Sequence, residues 1–189
     1  LLNSLSGAAT AYAESRPMII LSPGRPVGQE YRDIGALHET KNPTGAVNSI
    51  VEFSRRVNSA EEAIDIIHTA FRSFAHARPR PIHIEVPLDV LERETDIDDA
   101  LLQARPIGKP QPAPLEDVKE AAKLLAASKH PVIVAGGGSI PAAADLLTLA
   151  ELLEAPVMTS INGKGAIPEK HRLSLGADLR LSSAHEFCR

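Results

Sequence analysis

Two adjacent residues that could serve a functional site lie in a long loop of the sequence. His38 and Glu39 stand in the stretch "LHET", after an apolar strand-like segment, and prolines and glycines surround them. Loops of this length without regular structure are often functional, because a rigid scaffold holds them at the surface. We therefore predict a site role for His38 or Glu39. The alternative is an exposed polar loop.

A second candidate site is the glycine-rich stretch "PVIVAGGGS", in which Gly136, Gly137 and Gly138 follow an apolar strand. A helix N-terminus after such a turn can bind a phosphate, because unpaired N–H groups and a partial positive charge meet there. The dinucleotide fingerprint G-x-G-x-x-G fails at Pro141, however, and no Walker lysine follows. A second glycine loop, residues 162–168, is expected at the same carboxyl edge. The alternative is that these glycines only turn the chain tightly between strand and helix.

Composition disfavours several other classes of function. The chain has 189 residues, a formal net charge of -4 and a single cysteine, Cys188. No basic excess is available for nucleic-acid binding, and one cysteine forms neither an internal disulfide nor a cysteine-based zinc site. No apolar run approaches the roughly 20 residues of a membrane span, and no metalloprotease, hydrolase or calcium-loop motif is present. We expect a cytoplasmic protein that binds neither nucleic acid nor membrane.

Four short β-rich runs, each opened by a proline, are predicted strands. They follow Pro17, Pro81, Pro131 and Pro156. Proline is tolerated at the first position of a strand, and three of the runs are almost continuously apolar, as in strands buried on both faces of a parallel sheet. The run after Pro81 instead alternates and leaves His83 and Glu85 on one face. We therefore expect that run nearer a sheet edge or beside a polar neighbour.

Helices alternate with these strands. Apolar periodicity predicts three of them, over residues 59–77, 115–128 and 141–153. Ser59 and Glu62 form a capping box at the start of the first helix, and Val118 and Leu125 of the second are predicted to face inward. Strands that alternate with helices of this length indicate an α/β fold with parallel sheets, built as three-layer α/β/α units.

A proline-rich stretch, "RPIGKPQPAP" at residues 105–114, interrupts this alternation and predicts a semi-rigid linker. It separates a partial domain over residues 1–104 from another over residues 115–189. Neither part has the five or six strands of a usual sheet. Because Leu1 already lies inside an amphipathic pattern, we expect the chain to be a piece of a longer protein.

Four stretches carry the motifs of one enzyme superfamily in the right order. The first, "LLNSLSGAATAYAESRPMIILS", is similar to the segment that follows a GPG-x-x-N motif, with Asn3 in the asparagine position. The second, "ARPRPIHIEVPLDVL", is similar to the end of a pyrimidine-binding domain. The stretches "LAASKHPVIVAGGGS" and "LAELLEAPVMTSINGKGAIPEKHRLSLG" are similar to the start of a central domain. Together they resemble the thiamine-diphosphate-dependent enzymes of the acetolactate synthase and 2-oxo acid decarboxylase superfamily.

The resemblance implies an activity and a set of site residues. It implies that the intact parent uses thiamine diphosphate and Mg²⁺ to decarboxylate a small 2-oxo acid or to form a carbon–carbon bond. Asn3 would lie beside the pyrimidine pocket, and the loop with His38 and Glu39 would border the cofactor or substrate of a neighbouring subunit. Gly136, Gly137 and Gly138 would lie where some central domains bind FAD or ADP.

The resemblance also carries expectations about the chain as a whole. It implies that the main cofactor anchors lie outside these residues, so we expect the chain alone to be inactive and the parent to be a homodimer or homotetramer. Two other functions stay open. One is a regulatory module that binds FAD, ADP or NAD through the glycine loops without catalysis. The other is an NAD-dependent oxidoreductase, which the incomplete glycine fingerprint disfavours.

Overall fold

The computed structural model describes residues 1–109 and 111–188 and divides the chain into two compact units. Unit 1 comprises Leu1–Gln111 and unit 2 comprises Pro112–Arg189. Pro110, inside the predicted linker, and Arg189, the last residue of the predicted second domain, lie outside the described residues. Each unit is a set of parallel strands with helices, which confirms the predicted α/β class.

Unit 1 alternates helices and strands along most of its length. After a 3₁₀ turn at Leu2–Ser4, the elements in chain order are α1 (Leu5–Ala13), β1 (Met18–Gly24), α2 (Pro43–Asn48), β2 (Phe53–Arg56), α3 (Ala60–His76), β3 (Pro81–Pro87), α4 (Leu88–Leu91) and α5 (Asp99–Leu102). The long connection between β1 and α2 contains the predicted site loop. Strand β2 is absent from the sequence-based prediction.

The sheet of unit 1 is parallel, in the order β1-β3-β2. Strand β3 therefore lies between the two others in the described sheet, and the expectation that it lies nearer an edge is wrong. Its polar residues His83 and Glu85 are buried because β1 and β2 supply polar partners on the same face. The other half of that expectation, a polar neighbour, is confirmed.

Helix α3 covers the other face of this sheet and shows why the sequence prediction of a helix there succeeded. Ser59 lies at its N-cap and accepts a hydrogen bond from the amide of Glu62 at 3.2 Å. The carboxylate of Glu62 reaches the amide of Asn58 rather than that of Ser59, so the reciprocal half of the predicted capping box is shifted by one residue. Ile66 and Ala70 pack against β3, and the core on this side is apolar.

Unit 2 contains a shorter sheet in which β4 and β5 pair in parallel. Its elements in chain order are α6 (Leu115–Ala127), β4 (Ile133–Ala135), a 3₁₀ turn (Gly137–Ala142), α7 (Ala143–Leu153), β5 (Val157–Thr159), a second 3₁₀ turn (Ile161–Gly163) and α8 (Ser182–Phe187). Leu146 and Leu147 of α7 pack against the core formed around Val157 and Ile167.

Helix α6 forms where apolar periodicity predicts it, but its predicted inward face is exposed. Val118 and Leu125 are 50% and 38% exposed. The core cluster of unit 2 contains residues of β4, α7 and β5 but none of α6, so the apolar stripe of this helix has no partner in the described core. Among the described helices, none is long and apolar enough to cross a membrane.

Candidate active-site cavity

A cavity of about 590 Å³ opens at the carboxyl edge of the sheet in unit 1. Parallel α/β sheets bind ligands at this edge, because the loops that follow the strands converge there. Strand β1 contributes its last residues to the lining, β3 contributes Glu85 and β2 contributes Arg56. The cavity is therefore built by all three strands of this sheet.

The lining of this cavity includes three residues that the sequence analysis predicts to be site residues. Asn3 comes from the N-terminal 3₁₀ turn, and His38 and Glu39 come from the loop between β1 and α2. The chain folds so that residues 35 positions apart meet at the same edge, since α1 and β1 return the chain to the carboxyl end of the sheet. Their functional roles stay predictions.

Glu39 is fastened to its own loop. Its carboxylate accepts a hydrogen bond from the amide of Ala36 at 2.9 Å. That hydrogen bond, with weaker contributions from neighbouring amides and from the charge of Arg25, lowers the pKa of Glu39 below its ordinary value. Glu39 is therefore ionised at neutral pH and stabilises the loop conformation, a property of a binding or structural carboxylate rather than of a proton donor.

His38 adopts a backbone conformation that side chains rarely favour. Its φ is +58°, in the left-handed region, and its side chain is exposed at the cavity. Such a conformation costs of order 1 kcal/mol and persists only where the surroundings impose it. The Glu39–Ala36 hydrogen bond, on the next residue, closes the turn that imposes it here.

A charged cluster that sequence reasoning missed forms the floor of the cavity. The guanidinium of Arg56 donates to Glu85 at 2.5 Å and to Glu30 at 2.7 Å, and also to the backbone carbonyl of Arg25. The hydroxyl of Thr44, on α2, donates to the other carboxylate oxygen of Glu85. We call Glu85, Arg56 and Glu30 the ion cluster. The alternating polar pattern of β3 is the signal that could have revealed it.

Electrostatics favour the ionised form of Glu30 in the ion cluster. The pKa of Glu30 is lowered, first by a hydrogen bond from its own backbone amide and further by the charge of Arg56. The side chains of Arg56 and Glu85 are only 17% and 4% exposed. Charges this deeply buried require partners, because an unpaired buried charge costs several kcal/mol.

One layer below the ion cluster, His83 links all three strands. Its Nε2 lies 2.8 Å from the hydroxyl of Ser22 on β1, and its Nδ1 lies 2.6 Å from the hydroxyl of Ser54 on β2. Burial lowers the pKa of His83, so the ring is neutral near neutral pH. A neutral imidazole has one donor and one acceptor nitrogen, which matches two hydroxyl partners.

Gly24 lets the end of β1 pass close to the ion cluster. A Cβ at this position would lie 2.6 Å from Nη1 of Arg56 and would also collide with the carboxylate of Glu85. Any larger residue at this position would therefore displace the side chains of Arg56 and Glu85.

The predicted glycine site lies in unit 2 and has a different structure. Gly163 packs so tightly that a Cβ would collide with the carbonyl oxygen of Ala135 and lie 2.9 Å from the carbonyl carbon of Gly136. A Cβ on Gly137 would lie 3.0 Å from the carbonyl oxygen of Asn162. The two glycine loops thus pack against each other, which supports the tight-turn alternative for Gly137.

Gly136 and Gly138 are not explained by packing. A Cβ added to either would meet no described atom within 4 Å. The hydroxyl of Ser139 donates a hydrogen bond to the carbonyl of Gly136 at 2.6 Å. The described residues of both units contain no group of three histidine, cysteine, aspartate or glutamate side chains that could hold a metal ion.

Comparison with known proteins identifies the superfamily. Residues 118–186 match the family described as the thiamine pyrophosphate enzyme central domain. The chain is 35% identical over 185 residues to a probable 2-ketoarginine decarboxylase of Pseudomonas aeruginosa, covering 98% of this chain and 33% of that protein. It is 39% identical over 185 residues to a probable acetolactate synthase large subunit of Methanocaldococcus jannaschii, covering 92% of this chain and 30% of that protein. It is also 32% identical to the acetolactate synthase of Mycobacterium bovis, with coverages of 92% and 28%.

Both α/β units are thus similar to parts of these enzymes, since the matches cover 92–98% of this chain. The chain belongs to the superfamily of thiamine-pyrophosphate-dependent enzymes, and residues 118–186 belong to its central domain. The chain spans about a third of the length of these relatives.

Proposed function

We propose that this chain is the part of a thiamine-diphosphate-dependent enzyme that borders the substrate cavity, and that the enzyme decarboxylates a small 2-oxo acid, forms a carbon–carbon bond, or both. The observation that carries the proposal is the cavity in unit 1, since Asn3, His38 and Glu39 line it together. Membership of the superfamily supplies the class of reaction.

The residues of the cavity suit a supporting role in this chemistry. The amide of Asn3 can donate and accept hydrogen bonds, as a pyrimidine ring requires. When bound, thiamine diphosphate supplies the electron sink for decarboxylation. We assign Asn3 to the pyrimidine side of the cavity and His38 and Glu39 to its substrate side. Mg²⁺ and the diphosphate are assigned to residues other than those described.

The direct test is an assay of the full-length protein that contains this chain. With thiamine diphosphate and Mg²⁺ present, we expect carbon dioxide release from pyruvate or from a 2-oxo acid with a guanidinium tail, the latter because one relative bears the name 2-ketoarginine decarboxylase. His38→Ala should lower kcat/KM at least roughly tenfold, since about 1.4 kcal/mol of lost interaction is a factor of ten. His130→Ala, an exposed histidine of unit 2, is the matched control.

Failure of the wild-type protein to turn over any 2-oxo acid with thiamine diphosphate would contradict the proposal. Equal activity of the His38 and His130 variants would contradict the assigned role of the loop alone.

We also propose that the parent protein is a cytoplasmic homodimer or homotetramer, because the resemblance implies active sites formed between subunits. Light scattering coupled to size exclusion of the full-length protein measures this, and a monomer that retains full activity would contradict it.

A second candidate function rests on the glycine loops of unit 2. We propose that Gly136 and Gly138 leave room for FAD or ADP, since packing does not require glycine at either position. Isothermal titration of the chain with FAD, ADP and NAD tests this. Binding of FAD or ADP that Gly138→Val abolishes would support it, and no binding of any of the three would exclude it.

A further inference from the structure

The long connection between β1 and α2 forms one wall of the cavity. It covers residues 25–42, and we call it the cavity loop. It contains no helix or strand, and the left-handed conformations of Tyr31, Asp33 and His38 lie within it. Ordering such a segment costs conformational entropy at every residue, so the loop needs specific contacts with the scaffold to stay in one place.

Two contacts tie the cavity loop to the rest of unit 1 near its start. One is exposed, between the amide of Val27 and the carboxylate of Asp89 at 3.0 Å. The other is made by the guanidinium of Arg56, which holds both the carboxylate of Glu30 and the carbonyl of Arg25. The Glu39–Ala36 hydrogen bond lies within the loop and does not tie it to the sheet.

The Arg56 contact is the stronger of the two. Its side chain is only 17% exposed and that of Glu30 only 27%, so water and salt screen this pair less than an exposed one. Glu85 holds the other side of the same guanidinium, and Thr44 holds Glu85 in turn. Arg56 thereby connects the middle strand of the described sheet to the loop through one rigid, planar group.

We propose that Arg56 is a positioning residue, which holds the cavity loop, and with it His38 and Glu39, over the carboxyl edge of the sheet. Its partner in the loop is Glu30, and its anchor in the sheet is Glu85. The neighbouring Arg55 points away from this network and lies over the ring of Phe53 at 5.5 Å. Two adjacent arginines on β2 therefore have separate tasks.

Hydrogen–deuterium exchange of the 189-residue chain tests this directly. In Glu30→Ala the Arg56–Glu85 pair remains, so the sheet stays intact while the loop loses its charged contact. We expect exchange in peptides from residues 27–42 to accelerate at least roughly tenfold, with exchange in β1 and β3 unchanged. Arg56→Lys keeps the charge but not the fork of donors, and it should give an intermediate acceleration.

The matched control is Arg55→Met, which removes the adjacent arginine and should leave loop exchange within about twofold of wild type. The exchange of Arg56→Met is compared with that of Glu30→Ala, because Arg56→Met also leaves the buried Glu85 without its ion-pair partner and can destabilise the sheet. Unchanged loop exchange in Glu30→Ala would overturn the proposal, and so would equal acceleration in the Arg55 and Arg56 variants.

A kinetic measurement distinguishes positioning from mere stabilisation, and this part rests on the proposed function. A loop that is ordered only part of the time lowers apparent affinity in proportion to its ordered fraction, while the bound state is unchanged. In the full-length protein, Glu30→Ala should raise KM for pyruvate at least roughly fivefold and change kcat less than about twofold.

A fall in kcat at unchanged KM would overturn the positioning role. If the wild-type protein shows no thiamine-dependent turnover, the proposed function fails, and the exchange experiment still decides whether Arg56 holds the loop.

Discussion

The two units end their parallel strands in different ways. In unit 1 the carboxyl edge is open, with a cavity of about 590 Å³ above the buried charges of Glu85 and Arg56. In unit 2 the two glycine loops close on each other, because Gly163 lies against the carbonyl of Ala135. Unit 1 therefore has the long loop, the buried charges and the cavity. Unit 2 has tight contacts between backbone atoms of its two glycine loops.

The difference shows that a glycine-rich turn and an open site are separate properties of an α/β sheet. Glycines permit close approach, and the approaching group in unit 2 is another loop of the same unit. In unit 1 the side chains of an ion pair occupy the space beside Gly24, and one of them, Arg56, also holds the loop above the strand ends. Charged side chains therefore border the cavity in unit 1, and Gly24 leaves room for them.

The largest expected effect comes from removing the buried anchor of unit 1. Glu85→Ala leaves the guanidinium of Arg56 buried with only Glu30 as a counter-charge, and it should cost about 3–5 kcal/mol of unfolding free energy. Both tyrosines of the chain, Tyr12 and Tyr31, lie in unit 1, so tyrosine fluorescence during urea unfolding reports on this unit alone. Glu94→Ala, at an exposed position, is the control. A loss below about 1 kcal/mol for Glu85→Ala would contradict the importance given to the ion cluster.

The next largest effect is expected in unit 2 at Gly163. The Cβ of Gly163→Ala would collide with backbone atoms of Ala135 and Gly136, which cannot move aside as a flexible side chain can. We expect a loss of about 1–3 kcal/mol, as for overpacking in a core. Faster hydrogen exchange in β4 and β5, with unit 1 unchanged, is the measurement. Wild-type exchange rates would show that the two loops do not need this contact.

A pH-dependent difference is expected between the units, because only unit 1 buries a histidine among the described residues. Burial lowers the pKa of His83 below the ordinary value of 6.5, so the unfolded chain binds the proton more readily. The stability of unit 1 should therefore be constant above about pH 6.5 and fall as the pH decreases below it. The pKa values of Glu30 and Glu39 are also lowered, so these two groups change the stability of unit 1 only at more acidic pH.

The measurement is urea unfolding of unit 1, followed by tyrosine fluorescence, at about pH 7.5 and about pH 5.5. His83→Gln should be less stable than wild type at the higher pH, because it loses ring hydrogen bonds, and should show little further loss at the lower one. If the unfolding free energy falls equally with pH in wild type and in His83→Gln, a group other than His83 titrates between these two pH values.

The smallest expected effect is at Gly138. A Cβ there meets no described atom within 4 Å, so Gly138→Ala should change the unfolding of unit 2 by less than about 0.5 kcal/mol. Hydrogen exchange of β4 peptides measures it. A loss comparable to that of Gly163→Ala would show that packing demands glycine at both positions and would weaken the case for a ligand at Gly138.

The sequence predicts the parts of the fold that depend on local chemistry. The helix after Ser59 and the strands that follow Pro17 and Pro81 form where caps, periodicity and β-rich runs predict them. Strand β2 escapes prediction because "FSRR" has no apolar run or alternation, and only its contacts with β3 make it a strand. The prediction that one face of α6 is buried is wrong for a related reason, because an apolar stripe is buried only where another surface packs against it.

The sequence predicts only part of the candidate site. His38 and Glu39 are predicted because a histidine and a glutamate stand together in a long loop. Asn3 is predicted through the family resemblance alone. Arg56 and Glu30 give no such signal, since each is an ordinary charged residue until the fold brings them within 2.7 Å. Pairings between residues far apart in sequence are set by topology, which no local pattern records.

The adjacent arginines of β2 also have a consequence for how the chain folds. Side chains alternate across a strand, so a slip of one residue in the pairing of β2 with β3 would exchange Arg55 for Arg56 and carry Ser54 away from His83. An apolar strand would tolerate such a slip until its core packed, whereas this one would lose a buried ion pair and a hydrogen bond at once. The register of this short strand is therefore specified by a buried ion pair and a hydrogen bond as well as by apolar packing.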